Sequence, residues 1–295
     1  MENKQDAHMG KLNYAIMSLC FPNMFEKTEE FIERAKRLGI KGIDWCRALS
    51  KDNKPEYIKR LCADNGITIT GFIPWTVALP NREPNGWDDL KADLEFAAAI
   101  GAPMSLVPTP SPTMGHPKMT RPELQAFWMD ALAKSTAICM SLGIMPLVES
   151  FAGGPGPFIT ADELIECKRQ IPDLEFAFDP GNMITAGVDP IQEYHKLRKV
   201  APVRYAHFKE VAIIQEPSDE NTGADGVYDN GYLGLDGNCY KEVPFGEGIM
   251  DHQGLIRTLL DDNYTGWVNI EVSQRNFDHA VKFLLGSAPP GSPSR

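Results

Sequence analysis

Four short apolar runs of the chain each end in a side chain that can hold a proton or a cation. Glu149 closes Met145-Pro146-Leu147-Val148, and Asp179 closes Phe176-Ala177-Phe178. His207 closes Val203-Arg204-Tyr205-Ala206, and Glu271 closes Trp267-Val268-Asn269-Ile270. A carboxylate at the end of a buried strand is costly unless it is paired or bound to a metal. Three carboxylates and one imidazole make an oxygen-rich set. It suits Mn2+, Mg2+ or Co2+ better than a structural zinc, which favours thiolates. Carboxylates on opposite sides of one cation also suit paired acid and base roles. Each residue has a plainer reading alone. A strand-end acid caps a helix or joins a surface ion pair, Asp179-Pro180-Gly181 is a turn signal, and His207 is a hydrogen-bonded core histidine. Four such ends in succession favour one shared site.

The elements that must position these residues alternate along the chain. Strands are expected at Tyr14 to Cys20, Gly42 to Trp45, Ile67 to Ile73, Met104 to Val107, Met145 to Glu149, Leu174 to Asp179, Val203 to Phe208 and Trp267 to Val272. Helical patterns separate them, with stops at Gly39, Asn65-Gly66, Gly101 and Gly143, and a capping box at Thr160 and Glu163. Alternation of this kind argues for a parallel sheet with helical crossovers, and eight units point to closure as a (β/α)8 TIM barrel. The rival, an open doubly wound sheet, usually carries a glycine-rich turn after its first strand. Here that turn reads Leu19-Cys20-Phe21-Pro22. On a barrel all four strand ends meet around one axis. Period-two alternation turns Tyr205 and Lys209 inward with His207, and puts Leu147, Ala177 and Asn269 below Glu149, Asp179 and Glu271.

The expected domain is one catalytic barrel over 11–287, with tails at 1–10 and 288–295 expected to be disordered. A long acidic insertion at about 211–250 lacks clear periodicity. It reads either as a functional loop at the C-terminal face or as a solvated segment. Apolar residues make up 43% and charged residues 23% of the 295, an ordinary globular balance. The net charge of −11 disfavours nucleic acid and anionic membranes as partners, while it can attract metal cations. The six scattered cysteines form no CxxC pair, and the opening residues lack a signal-peptide core. Both point to a reducing, cytoplasmic setting.

The sequence resembles the xylose isomerase-like TIM-barrel superfamily, and within it the sugar phosphate isomerase/epimerase family of ketose 3-epimerases and inosose dehydratase-like proteins. The resemblance spans roughly Tyr14 to Leu285. It is carried by Leu147-Val148-Glu149, Phe178-Asp179-Pro180-Gly181-Asn182, Tyr205-Ala206-His207-Phe208-Lys209-Glu210, Val243-Pro244-Phe245-Gly246-Glu247-Gly248 and Tyr264-Thr265-Gly266-Trp267-Val268-Asn269-Ile270-Glu271. It implies that Glu149, Asp179, His207 and Glu271 hold one divalent ion. Mn2+ is the first choice, with Mg2+, Co2+ or Zn2+ as alternatives. It also implies that Glu149 and Glu271 are the proton-transfer pair. The family often carries a substrate-touching histidine where this chain has Asn182, and often an arginine shortly after the metal-binding histidine. Lys209 either stands in for that arginine or supports Glu210.

The expected chemistry is sugar isomerisation or epimerisation by proton transfer beside a carbonyl, through a metal-stabilised enediolate, on a non-phosphorylated sugar or polyol. The same intermediate can eliminate a group β to the carbonyl, so a lyase or dehydratase is the neighbouring reading. Candidate substrate-binding residues are Asn182, Lys209, His116 and Trp75, with Phe21 and Trp45 as further candidate walls; each of these three aromatics reads equally as simple core. Asn238, Cys239 and Tyr240 are candidates for a lid or subunit contact. A homo-oligomer is expected, and an accessory subunit is compatible with the insertion. A DNA endonuclease of the same superfamily fits poorly with six histidines and an acidic surface. A non-catalytic sugar-binding subunit is a third reading.

Overall fold

The computed structural model describes residues 12–20, 28–46, 54–74, 85–107, 119–153, 156–215, 231–273 and 275–286. The strands are β1 (Asn13–Met17), β2 (Gly42–Trp45), β3 (Thr68–Phe72), β4 (Met104–Leu106), β5 (Met145–Glu149), β6 (Glu175–Phe178), β7 (Val203–Phe208), β8 (Val211–Ile214), β9 (Tyr232–Leu233), β10 (Cys239–Glu242) and β11 (Trp267–Ile270). The helices are α1 (Thr28–Arg37), α2 (Pro55–Asp64), α3 (Asn85–Ile100), α4 (Arg121–Ser141), α5 (Ala161–Gln170), the single turn α6 (Pro180–Met183), α7 (Pro190–Val200), α8 (His252–Asp261) and α9 (Phe277–Leu284).

Eight of the strands close into a parallel barrel in the order β1-β11-β7-β6-β5-β4-β3-β2. Side chains alternate across its wall. Ile16, Ile43, Val148, Phe176, Phe178, Ala206, Phe208, Val268 and Ile270 face outward and pack with the helices in the main core. Leu147, Ala177 and Tyr205 face inward and form a separate cluster with Met104, Leu106, Met145 and Trp267. The barrel interior is therefore a packed plug that supports whatever sits on the rung above.

The helices are bounded by local chemistry. Helix α1 starts with Glu29 and Glu30 and ends with Arg34, Lys36 and Arg37, charges that complement its dipole. It buries Phe31, Ile32 and Ala35. Helices α4 and α5 each open with a capping box, Thr120 with Glu123 and Thr160 with Glu163. Among the described residues, no helix is long and apolar enough to cross a membrane.

Three expectations need correction. The first strand stops at Met17, and Ser18–Cys20 turn into a 3-10 helix. Trp45 does not form a pocket wall: it is buried and packs edge-on against Phe31 in the core. The insertion is not irregular throughout, since β8, β10 and β9 form an antiparallel sheet in that order. Its inner face, Val211, Tyr232 and Tyr240, packs on Ala152 after β5 and on Ile184 after β6. The Tyr240 hydroxyl donates to Asp236 at 2.7 Å and lies 3.3 Å from the Ile184 carbonyl oxygen, pinning the sheet over the strand ends. The segment 216–230 and both expected tails, 1–10 and 288–295, lie outside the described residues.

Candidate metal centre

Glu149 is the last residue of β5, Asp179 follows β6, His207 lies near the end of β7, and Glu271 follows β11. One donor atom from each lies within 4.8 Å of all the others. His207 Nδ1 is 2.5 Å from Glu149 Oε1 and 3.5 Å from Glu271 Oε2. The strand-end residues thus meet as barrel closure requires.

Their polar atoms are not satisfied by one another as neutral hydrogen-bonding groups would be. Glu149 Oε1, Asp179 Oδ2 and His207 Nδ1 are buried without a hydrogen-bond partner of acceptable geometry. Buried carboxylate oxygens crowded on an imidazole nitrogen, met by Lys209 and by one another's charge but without well-formed hydrogen bonds, are an arrangement a cation relieves. The donor set, three carboxylates and an imidazole, fits a hard or borderline divalent ion.

Asp179 combines the two readings that its sequence context left open. Its Oδ1 accepts from the Asn182 main-chain N–H at 3.0 Å and so caps α6, while Oδ2 faces the cluster. Burial, reinforced by the charges of Glu149 and Glu271, pushes its carboxyl up to about 7 against the pull of Lys209. Glu271 goes the other way. Burial opposes its charge, but Lys209 and His207 outweigh it and hold the carboxyl below its usual range. For His207, burial opposes protonation, yet Glu149, Asp44 and Glu271 raise it well above the ordinary imidazole value.

Lys209 follows β7 and faces inward. Its Nζ lies 3.0 Å from Asp179 Oδ2 and 2.9 Å from Glu271 Oε1, with Glu242 of β10 adding to the negative field around it. Gly181 makes this approach feasible, because a Cβ there would come within 2.4 Å of Lys209 Cγ. The alternative that Lys209 supports Glu210 is not met. Glu210 points away and accepts from the Gly246 and Met250 amides at 2.9 and 3.0 Å, with His252 Nε2 at 3.1 Å.

Asn182 is buried, and its Nδ2 donates to the Ser150 carbonyl at 2.8 Å, bracing the residue after Glu149. Its Oδ1 has no hydrogen-bond partner. Trp75, His116 and Phe21 lie outside the described residues. One buried acid was missed. Asp44, on β2, lies below the cluster with its Oδ2 3.6 Å from His207 Nε2. The available signal was an acid inside the four-residue run Gly42–Trp45, otherwise apolar or glycine.

The curated inosose dehydratase of Geobacillus kaustophilus (strain HTA426) is 26% identical over 156 residues, covering 50% of this chain and 44% of that protein. The chain thus matches less than half the length of that relative. Among solved structures, the fold is shared with 3-keto-D-glucoside 4-epimerase YcjR from E. coli, at a TM-score of 0.67 and 17% identity over 93% of this chain and 99% of that one. It is shared equally with a xylose isomerase-like TIM barrel protein from Mycobacterium smegmatis in complex with magnesium, at 0.65 and 17% identity over 95% and 97%. A family model described as xylose isomerase-like TIM barrel matches residues 32–288, which takes in the four converging strand ends. By this match and by its closed parallel barrel, the chain belongs to the xylose isomerase-like TIM barrel family.

Proposed function

We propose that the chain is a divalent-metal-dependent sugar isomerase or epimerase that moves a proton at the carbon beside a carbonyl. The observation that carries this reading is the convergence of Glu149, Asp179, His207 and Glu271 with their donor atoms within 4.8 Å. These four residues would hold the ion, Mn2+ in first place. When bound it supplies a Lewis acid that polarises the substrate carbonyl.

The chain's own residues supply the rest. Asp179 presents Oδ2 to the cluster because the α6 amide holds its other oxygen. His207 offers Nδ1 and is completely buried. Glu149 takes the proton from the carbon on one face of the substrate. Protonated Glu271 returns one on the other face, and in the reverse direction Glu271, whose ionised form Lys209 favours, is the base and protonated Glu149 the acid. One base acting alone gives an isomer, and two opposed groups give an epimer. Lys209 already compensates two carboxylates, which leaves little positive charge here for a phosphate and favours a neutral polyol.

A lyase that eliminates a group β to the carbonyl is the second reading. Two observations favour it. Asn182 stands with its amide turned to the Ser150 carbonyl, and a curated relative is an inosose dehydratase.

Metal content of the purified protein tests the shared premise. About one Mn2+ per chain is expected in the wild type, and at least tenfold less in Glu149→Gln and His207→Ala. Deuterium uptake from solvent beside the carbonyl of ketoses and inososes then separates exchange from elimination. Equal metal content in all three proteins sinks the mechanism.

A further inference from the structure

We propose that Asp44 is a positioning residue that fixes the His207 ring, so that Nδ1 faces the three carboxylates and Nε2 faces down the barrel. The inference rests on the metal reading of the cluster above, and concerns a residue on a strand that gives no donor to it.

Asp44 is buried inside the barrel wall on β2, and its Oδ2 is the acidic oxygen facing His207 Nε2, at 3.6 Å. That is longer than a hydrogen bond, and a shift of about half an ångström closes it. Neither His207 Nε2 nor Asp44 Oδ1 has a hydrogen-bond partner. Two further side chains act on the carboxylate. Asn269 Nδ2 donates to Oδ2 at 3.2 Å. The Tyr205 hydroxyl, 2.8 Å from Thr70 Oγ1, favours the charged form of the same carboxylate. Gly71 on β3 leaves it room, since a Cβ there would stand 3.2 Å from Oδ1.

A buried carboxylate with one oxygen unpartnered is a poor way to stabilise a barrel interior, where an apolar side chain of similar volume serves at least as well. Its use lies in direction. The two nitrogens of an imidazole are distinguished by what each one meets. A ligating histidine commonly donates its second N–H to a carboxylate, which fixes ring orientation and raises the basicity of the ligating nitrogen. Asp44 stands on the side of the ring opposite Glu149, which is 2.5 Å from Nδ1.

The test uses the full chain labelled with 15N-histidine and Zn2+ as a diamagnetic probe. In the metal-free wild type, a slowly exchanging His207 Nε2–H resonance is expected. It should shift in Asp44→Asn and disappear in Asp44→Leu. In the Zn2+ form the wild type should coordinate through Nδ1. Both variants should bind Zn2+ 10–100-fold more weakly, with unchanged far-UV circular dichroism. Gly71→Ala, which crowds the carboxylate from the other side, should weaken Zn2+ binding in the same direction. If Asp44→Leu does not fold, Asp44→Asn and Gly71→Ala carry the comparison. Variants that keep the Nε2–H resonance and the wild-type Zn2+ affinity overturn the assignment. If the wild type binds neither Zn2+ nor Mn2+, the metal reading fails by itself, and the metal-free resonance still decides whether Asp44 holds the ring.

Discussion

Lys209 places one positive charge between two carboxylates that belong to different strands. Removing it should have opposite effects on binding and turnover. Lys209→Met deletes a cation that competes with the metal, so Mn2+ should bind about tenfold more tightly by titration. The same change frees Glu271 Oε1 from its anchor, so kcat should fall by about 100-fold. A variant with wild-type kcat would remove Lys209 from the machinery. The four strand-end residues were legible because a charge that ends an apolar run is conspicuous, and the barrel has one place to bring such ends together. The partner of Lys209 was not fully legible. Glu210 is its neighbour in sequence, but alternation sends adjacent side chains to opposite faces, and Glu210 lands among the Gly246 and Met250 amides instead. Asp44 escaped notice because it sits one residue inside its strand rather than at the end.

At the scale of elements, Glu210 joins the insertion to α8. It takes the Gly246 and Met250 amides and faces His252, which stacks on Phe245 with ring centroids 4.5 Å apart. Glu210→Ala leaves the part-buried Gly246 and Met250 amides and the buried His252 ring without their partner. It should cost about 3 kcal/mol, read as a fall in melting temperature of roughly 6–12 °C. A fall under about 2 °C would show that solvent replaces the clasp. The barrel strands and helices were readable from periodicity, and the predicted stops Gly39, Gly101 and Gly143 do take left-handed φ of 74°, 80° and 72°. The insertion strands were not readable. β9 has two residues, and β8 and β10 have four each, too short for an alternating pattern to stand out. Their pairing is tertiary, set by Tyr232 and Tyr240 packing on Ala152.

For the whole molecule, the strand-end cluster couples stability to pH. Folding raises the Asp179 carboxyl to about 7, from an ordinary value of about 3.9. The metal-free folded state therefore binds that proton more tightly than the unfolded chain does. This contribution is fully present below about pH 4 and is lost as pH rises through 7. On the proposed metal reading, the ion would need the ionised carboxylate and an unprotonated His207 Nδ1, so protons and metal would compete. Saturating Mn2+ should thus raise the melting temperature more at pH 8 than at pH 6. Equal gains at both would show that neither group titrates with binding. The ring of strands carries one more consequence. Glu271 follows β11, the strand that fits between β7 and β1 and closes the circle. A chain still being synthesised has Glu149, Asp179 and His207 exposed before β11 exists, so it can offer only an incomplete grip. On the proposed metal reading, capture of the ion would be deferred until translation has passed this strand, and loading would be a late checkpoint on a finished barrel rather than a nucleus around which it is built.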